Sequence, residues 1–107
     1  MSTKVINIAN DFSLFPTGRY ARDSSCSAEA LRDRIIIPAL KEHSEVIIEL
    51  DGTYGYSSSF LEEAFGGLLR AGYTSDYLNS SIKLSSKDDS SLILEINEYI
   101  NNAEKYN

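Results

Sequence analysis

Three consecutive serines, Ser57, Ser58 and Ser59, stand between the apolar run that ends in Leu50-Asp51-Gly52 and the segment Phe60-Leu61-Glu62-Glu63. A serine in such a place can be a nucleophile, a phosphate acceptor or a helix cap, and its neighbours decide among these. A nucleophile on a strand-to-helix elbow needs the pattern G-x-S-x-G, whose last glycine lets the helix pack closely. Here Gly55-Tyr56-Ser57-Ser58 is followed by Ser59 where that glycine belongs. A nucleophilic serine also needs a base. The only histidine, His43, precedes the strand-like run Glu45–Leu50, so it is expected at the opposite edge of a sheet. No phosphate-cradling G-x-x-x-x-G-K-[ST] loop is present, and Gly66-Gly67 falls inside a helical pattern. One cysteine, Cys26, and one histidine supply neither a disulfide nor a metal-ligand cluster. The expectation is a protein that is not an enzyme and has no catalytic residue, metal or cofactor.

Capping is the simplest work for these serines. Ser59 and Glu62 have the spacing of a capping box, in which the serine oxygen accepts from the N–H three residues on and the glutamate reaches back. That spacing predicts a helix from Ser59 closing on Gly72. The loop also carries Tyr54, Tyr56 and Phe60. Aromatic side chains there are either interface anchors or a cover for the core, and spacing alone does not choose.

The elements that must position this loop follow from apolar periodicity. Lys4–Ala9 alternates and reads as a strand, with turn chemistry over Asn10–Ser13 and at Pro16-Thr17-Gly18, and a short strand near Arg19–Ala21. Ser27 precedes a helix through Leu31 and Ile35, with a kink or early end expected at Pro38 because proline lacks the N–H and crowds the carbonyl four residues back. Glu45–Leu50 is rich in β-branched residues with little alternation, which predicts a central strand covered on both faces. Ser81–Leu84 reads as another strand. Lys87 to about Lys105 reads as a last helix that buries Leu92, Ile93, Ile96, Tyr99, Ile100 and Ala103, with Ser86 and Asp89 as its box. This order predicts an α/β fold: a mostly parallel mixed sheet of four or five strands, with about three helices packed on it.

The 107 residues leave room for one domain, 1–107, with one core. A net charge of −6 argues against a nucleic-acid partner. Arg19, Arg22, Arg32 and Arg34 form only a loose basic group, read as a solvated helix face or a local anion contact. No stretch has the length of a membrane span or the form of a signal peptide, and a single cysteine suits a reducing cytoplasm.

Taken together, Gly18-Arg19, Ser27 with Arg32, the strand VIIELDG at 46–52 and the run SSSFLEEAFGG at 57–67 resemble a STAS-like group of unknown function, related to bacterial anti-sigma-factor antagonists. The resemblance runs from about Val5 to Ile100. It implies a small STAS-like fold and a cytoplasmic regulatory role. In the antagonists a histidine-kinase-like ATPase binds the loop after the central strand and phosphorylates a serine at the helix start, which releases the partner. Aligned on the serines, Ser58 takes the phosphorylated position, while Ser57 replaces the family's Asp and Phe60 its Gly. The partner surface implied is Tyr54, Tyr56, Ser57, Ser58 and Phe60. A second reading is a small sensor subunit of a stress or defence system, with an anion or nucleotide held near Gly18, Arg19 and the amides of 57–59. The sequence leaves the oligomeric state open.

Overall fold

The computed structural model describes residues 2–102. Strand β1 (Thr3–Asn7) runs into a single helical turn, α1 (Ile8–Asp11), capped by the Asn7 side chain. After an irregular stretch comes α2, continuous over 28–42, then β2 (Glu45–Glu49) and α3, continuous over 58–70. A short helix α4 (Ser75–Ser81) leads directly into β3 (Ile82–Ser85), and α5 (Ser91–Asn102) completes the described chain.

The three strands form a wholly parallel sheet in the order β1-β2-β3, so β2 is the interior strand, as its composition predicts. Among the described residues the sheet has three strands rather than four or five. The expected strand at Arg19–Ala21 is a turn because its backbone is used elsewhere: the Gly18 and Arg19 carbonyls accept from the Ala28 and Glu29 N–H groups at the start of α2. Helix α4 and the turn α1 carry no strong apolar stripe and were not expected.

The coverage of β2 also differs from expectation. Val46, Ile48 and Leu50 are buried, whereas Glu45, Ile47 and Glu49 are only half-buried. Ile6, Ile8 and Ile82 lie on the buried face with them. The other face, including Val5, Ile47 and Lys83 in one row, is uncovered. Strands taken in sequence order and joined by right-handed crossovers put every connecting helix on the same side, so one layer of helices serves one face. Ile47 satisfies strand propensity and cross-strand packing without being core.

Both long helices widen to π geometry in the middle, over Arg32–Ile36 and Glu62–Gly66. In α2 the Ile37 N–H reaches back five residues to the Arg32 carbonyl. The extra residue places Pro38 at the start of a fresh α-helical segment, Ile37–Glu42, where a missing N–H costs little. The helix therefore runs past Pro38 to Glu42 instead of ending there.

The core is a single cluster in which Phe60, Leu61, Ala64, Phe65 and Leu68 of α3 meet Leu31 and Ile36 of α2, Ile96 and Ile100 of α5, and the sheet. Leu92, Ile93 and Tyr99 pack partly buried against it, as the α5 stripe predicts; Ala103 and Lys105 lie outside the described residues.

Candidate functional site

The loop from Asp51 to Ser57 connects the carboxyl end of β2 to α3, the sheet edge where open α/β folds usually place ligands and partners. Two local devices hold it. The Asp51 carboxylate accepts from the Lys87 N–H at 2.8 Å, the Asp88 N–H at 3.0 Å and the Ser86 hydroxyl at 3.3 Å. It thereby ties the ends of β2 and β3 together, and these backbone donors, Lys87 first, hold its pKa below the usual carboxylate range. The Tyr56 hydroxyl donates to the Leu50 carbonyl at 2.8 Å, and burial raises the phenol's pKa.

The helix begins two residues earlier than the capping-box spacing predicts. Ser57, with extended backbone, is the N-cap, and its Oγ accepts from the Phe60 N–H at 3.1 Å. Ser59 is already inside the first turn, with its hydroxyl 3.3 Å from that of Ser57. The reciprocal half of the predicted box is missing because Glu62 has stronger partners. Its carboxylate takes Arg70 through two N–H groups, at 2.7 and 3.0 Å, and Arg19 at 2.7 Å. Charge-assisted bonds to a fork of guanidinium donors outcompete one bond to a backbone N–H.

Ser58 is left as the first helical residue, exposed and not used as the cap. Its hydroxyl lies close enough to the Tyr99 phenol to lower that group's pKa, against a net rise caused first by burial and then by the hydrogen bond to Glu95. All three serines are exposed.

The aromatic residues divide. Phe60 is 0% exposed and belongs to the core, so it is removed from the expected partner surface. Tyr56 is half-buried and packs 6.0 Å from Phe60. Tyr54 is 76% exposed and stacks on Phe15, itself 61% exposed, with ring centroids 4.4 Å apart and planes 3° from parallel. Leu14, 46% exposed, joins them, and its carbonyl accepts from the Tyr54 N–H at 2.9 Å. Phe15 and Leu14 have no signal in the sequence beyond apolar residues in a turn-rich stretch, because their partner is 39 residues away (Tyr54 to Phe15, 54 − 15).

Behind the serine turn lies an ion network that joins three parts of the chain. Arg19 reaches Glu62 at 2.7 Å and Glu63 at 3.0 Å; Arg32 reaches Glu63 at 2.5 Å and Asp33 at 2.8 Å; Arg70 reaches Glu63 at 3.2 Å as well as Glu62. Arg32 also donates to the Glu63 main-chain carbonyl at 3.2 Å, within the π segment of α3. Gly67 makes this possible, since a Cβ there would run into the Arg32 guanidinium. The missing side chain at Gly67 thus leaves a channel for an arginine between helices. The hydrogen bond from Arg70, followed by that from Arg19, holds the Glu62 pKa below its usual value. At Arg32 burial opposes the charge, and the bonds to Asp33 and Glu63 outweigh it.

Gly18 and Arg19, the expected anion contacts, are both engaged within the fold. The Gly18 carbonyl faces the amino end of α2, and the Arg19 side chain is held by two carboxylates. His43 lies before β2, bonded to the Ser2 hydroxyl at 2.9 Å, while the serines follow the other end of that strand.

A family model described as a STAS-like domain of unknown function matches residues 27–92. The chain belongs to this family. The match takes in the Ser27 cap, Arg32, the VIIELDG strand and the whole serine-to-glycine run, and is shorter at both ends than the resemblance read from the residues. No curated protein and no solved structure matches the chain. In this STAS-like chain the Asp-Gly after the central strand is the tie to the 86–88 turn, and the run SSSFLEEAFGG supplies a cap, an exposed hydroxyl, the core anchors Phe60, Leu61 and Phe65, and the two glutamates of the ion network.

Proposed function

We propose that this STAS-like chain is a non-catalytic regulatory module that binds another protein through the surface formed by Leu14, Phe15, Tyr54, Ser57 and Ser58. The stacked and exposed Phe15–Tyr54 pair carries this reading. A contiguous apolar patch beside polar groups is characteristic of interaction sites, and tyrosine is a common anchor in them. The resemblance to anti-sigma-factor antagonists supplies the kind of partner, a histidine-kinase-like ATPase, and the kind of control, phosphorylation of Ser58. Exposure of Ser58 and assignment of the cap to Ser57 favour that control, because modification there leaves the cap bond intact.

The electrostatics support it as well. A phosphate adds about −1.5 to −2 charges, and from sequence Glu62 and Glu63 oppose it. In the fold three guanidiniums face Glu62, Glu63 and Asp33, so the added charge meets a nearly balanced site. The helix amino end favours it by ~0.3–1 kcal/mol. At a docked interface the same charge, desolvated without a partner, costs about 2–5 kcal/mol. Binding, rather than folding, is where the modification acts. The anion-sensing alternative finds Arg19 already paired, and no observation favours it.

The test is purification from the native host of the wild type and of the Tyr54→Ala and Ser58→Asp variants, with intact-mass measurement of the wild type. One stoichiometric protein partner is expected with the wild type, its affinity at least tenfold lower for each variant, and one phosphate on Ser58. A partner retained equally by both variants removes this surface from the interaction.

A further inference from the structure

We propose that the free edge of β3 accepts an extended segment of another protein as a fourth strand, with apolar residues at alternate positions and a carboxylate between them. Among the described residues the sheet has two free edges, β1 and β3. At the second of them a groove of about 380 Å³ lies between β3 and α5. Ile82, Leu84 and Ile93 line it with the amides of Asn79 and Asn97, and Lys83 is its one charged residue. The Ser85 carbonyl faces β2, where it accepts from the Leu50 N–H at 2.9 Å. Backbone direction alternates along a parallel strand, so the Leu84 N–H and C=O point outward, and among the described residues β3 pairs with no second strand. Those outward groups fix an incoming strand by main-chain bonds, while alternate side chains fall onto the apolar lining; this is strand addition at a sheet edge.

The β1 edge shows what a guarded edge looks like in the same molecule. The groove there, about 340 Å³, has apolar lining from Ile6, Ile35 and Pro38 as well, but carries four charged residues, Lys4, Asp11, Arg34 and Glu42. Charged side chains along an edge discourage added strands. At β3, a strand of four residues, the guard is one exposed lysine, Lys83, so an added strand must bring a group that pairs with it. Lys83 lies on the uncovered face, in the row Val5–Ile47–Lys83, so the residue of the added strand beside it is on that face too. A carboxylate is the complement of this lysine, and the row's other members are apolar. Antiparallel pairing of two β3 strands centred on Lys83 sets like charges opposite each other, which is destabilising; that argues for a different chain over a second copy. The β3 groove shares no residue with the Phe15–Tyr54 surface, so the two proposals are tested independently.

The experiment uses the full chain and a displayed library of peptides of about six residues, the usual strand length, randomised at every position. Enriched peptides are expected to alternate apolar residues with an Asp or Glu. Asn97→Arg, which fills the groove, is expected to weaken the best peptide at least tenfold while the melting curve is unchanged. Selection against Lys83→Glu is expected to enrich Lys or Arg in place of the acid. The proposal is overturned by a library that enriches no alternating pattern, by full binding to Asn97→Arg, or by an acidic preference that survives Lys83→Glu. It is equally overturned if light scattering shows a dimer that Asn97→Arg converts to monomer, because the edge is then an interface between copies.

Discussion

Ser57, Ser58 and Ser59 are chemically identical and differ only in where the helix begins. Ser57→Ala removes the bond to the Phe60 N–H and is expected to cost ~0.5–2 kcal/mol in a denaturant titration. Ser59→Ala, an exposed change inside the first turn, should stay within about 0.5 kcal/mol. An equal loss at both positions would show that the cap is shared. Gly67 offers a second comparison. Gly67→Ala gains helix propensity of ~0.8–1 kcal/mol, yet forces Arg32 out from between the helices, so net destabilisation of roughly 1–3 kcal/mol is expected, the usual range for overpacking. If that penalty comes from displaced Arg32, it should largely disappear in an Arg32→Ala background; an additive double variant would assign it elsewhere. At this scale the sequence shows that a cap and two glycines exist. Which serine caps, and what the second glycine admits, depend on Arg19, Arg32 and Arg70 arriving from three separate segments, and no local spacing records that.

The element that most repays attention is α3. Its end and its type are legible, and its start only as the serine run and not as the serine that caps it; Gly72, at φ +111°, closes it with the Tyr73 N–H on the Leu68 carbonyl. The widened turn at Glu62–Gly66 is not legible, because π bonding is chosen by what lies across from it, here Arg32 donating to the Glu63 carbonyl. The same reasoning applies to α2, where the π turn rescues Pro38. Helix α3 also carries a pH dependence. Glu62 is held below the ordinary glutamate value of 4.5 by Arg70 and Arg19. A depressed carboxylate contributes stability that is fully present above its unfolded value and is lost as pH falls through its folded value. The denaturation midpoint of the wild type should therefore fall as acid is added below about pH 4.5, with a shallower slope in Glu62→Gln. An identical slope in that variant would place the acid sensitivity on other carboxylates.

For the whole molecule, the α/β class, the parallel sheet and the interior position of β2 follow from the order and composition of the segments. The one-sided cover does not, because β-branched residues favour a strand whether or not a helix lies over both faces. The wholly parallel arrangement has a kinetic consequence. Among the described residues every ladder joins distant segments: Thr3 of β1 pairs with Glu45, 42 residues on, and Val46 pairs with Ile82. No hairpin can form first and template the sheet, and the chain must close long loops before any strand contact is rewarded. β2 takes part in both ladders, so neither can form without it. Ile48→Val, a core change in that strand expected to cost ~0.5–1.5 kcal/mol, should appear mainly as slower refolding in stopped-flow measurements. Ile6→Val in β1 should appear mainly as faster unfolding, because β2 and β3 are joined by the α3 and α4 segment, which brings both buried phenylalanines, Phe60 and Phe65, to the core, while β1 docks on a strand already in place. The opposite partition would mean that the amino-terminal ladder nucleates the fold.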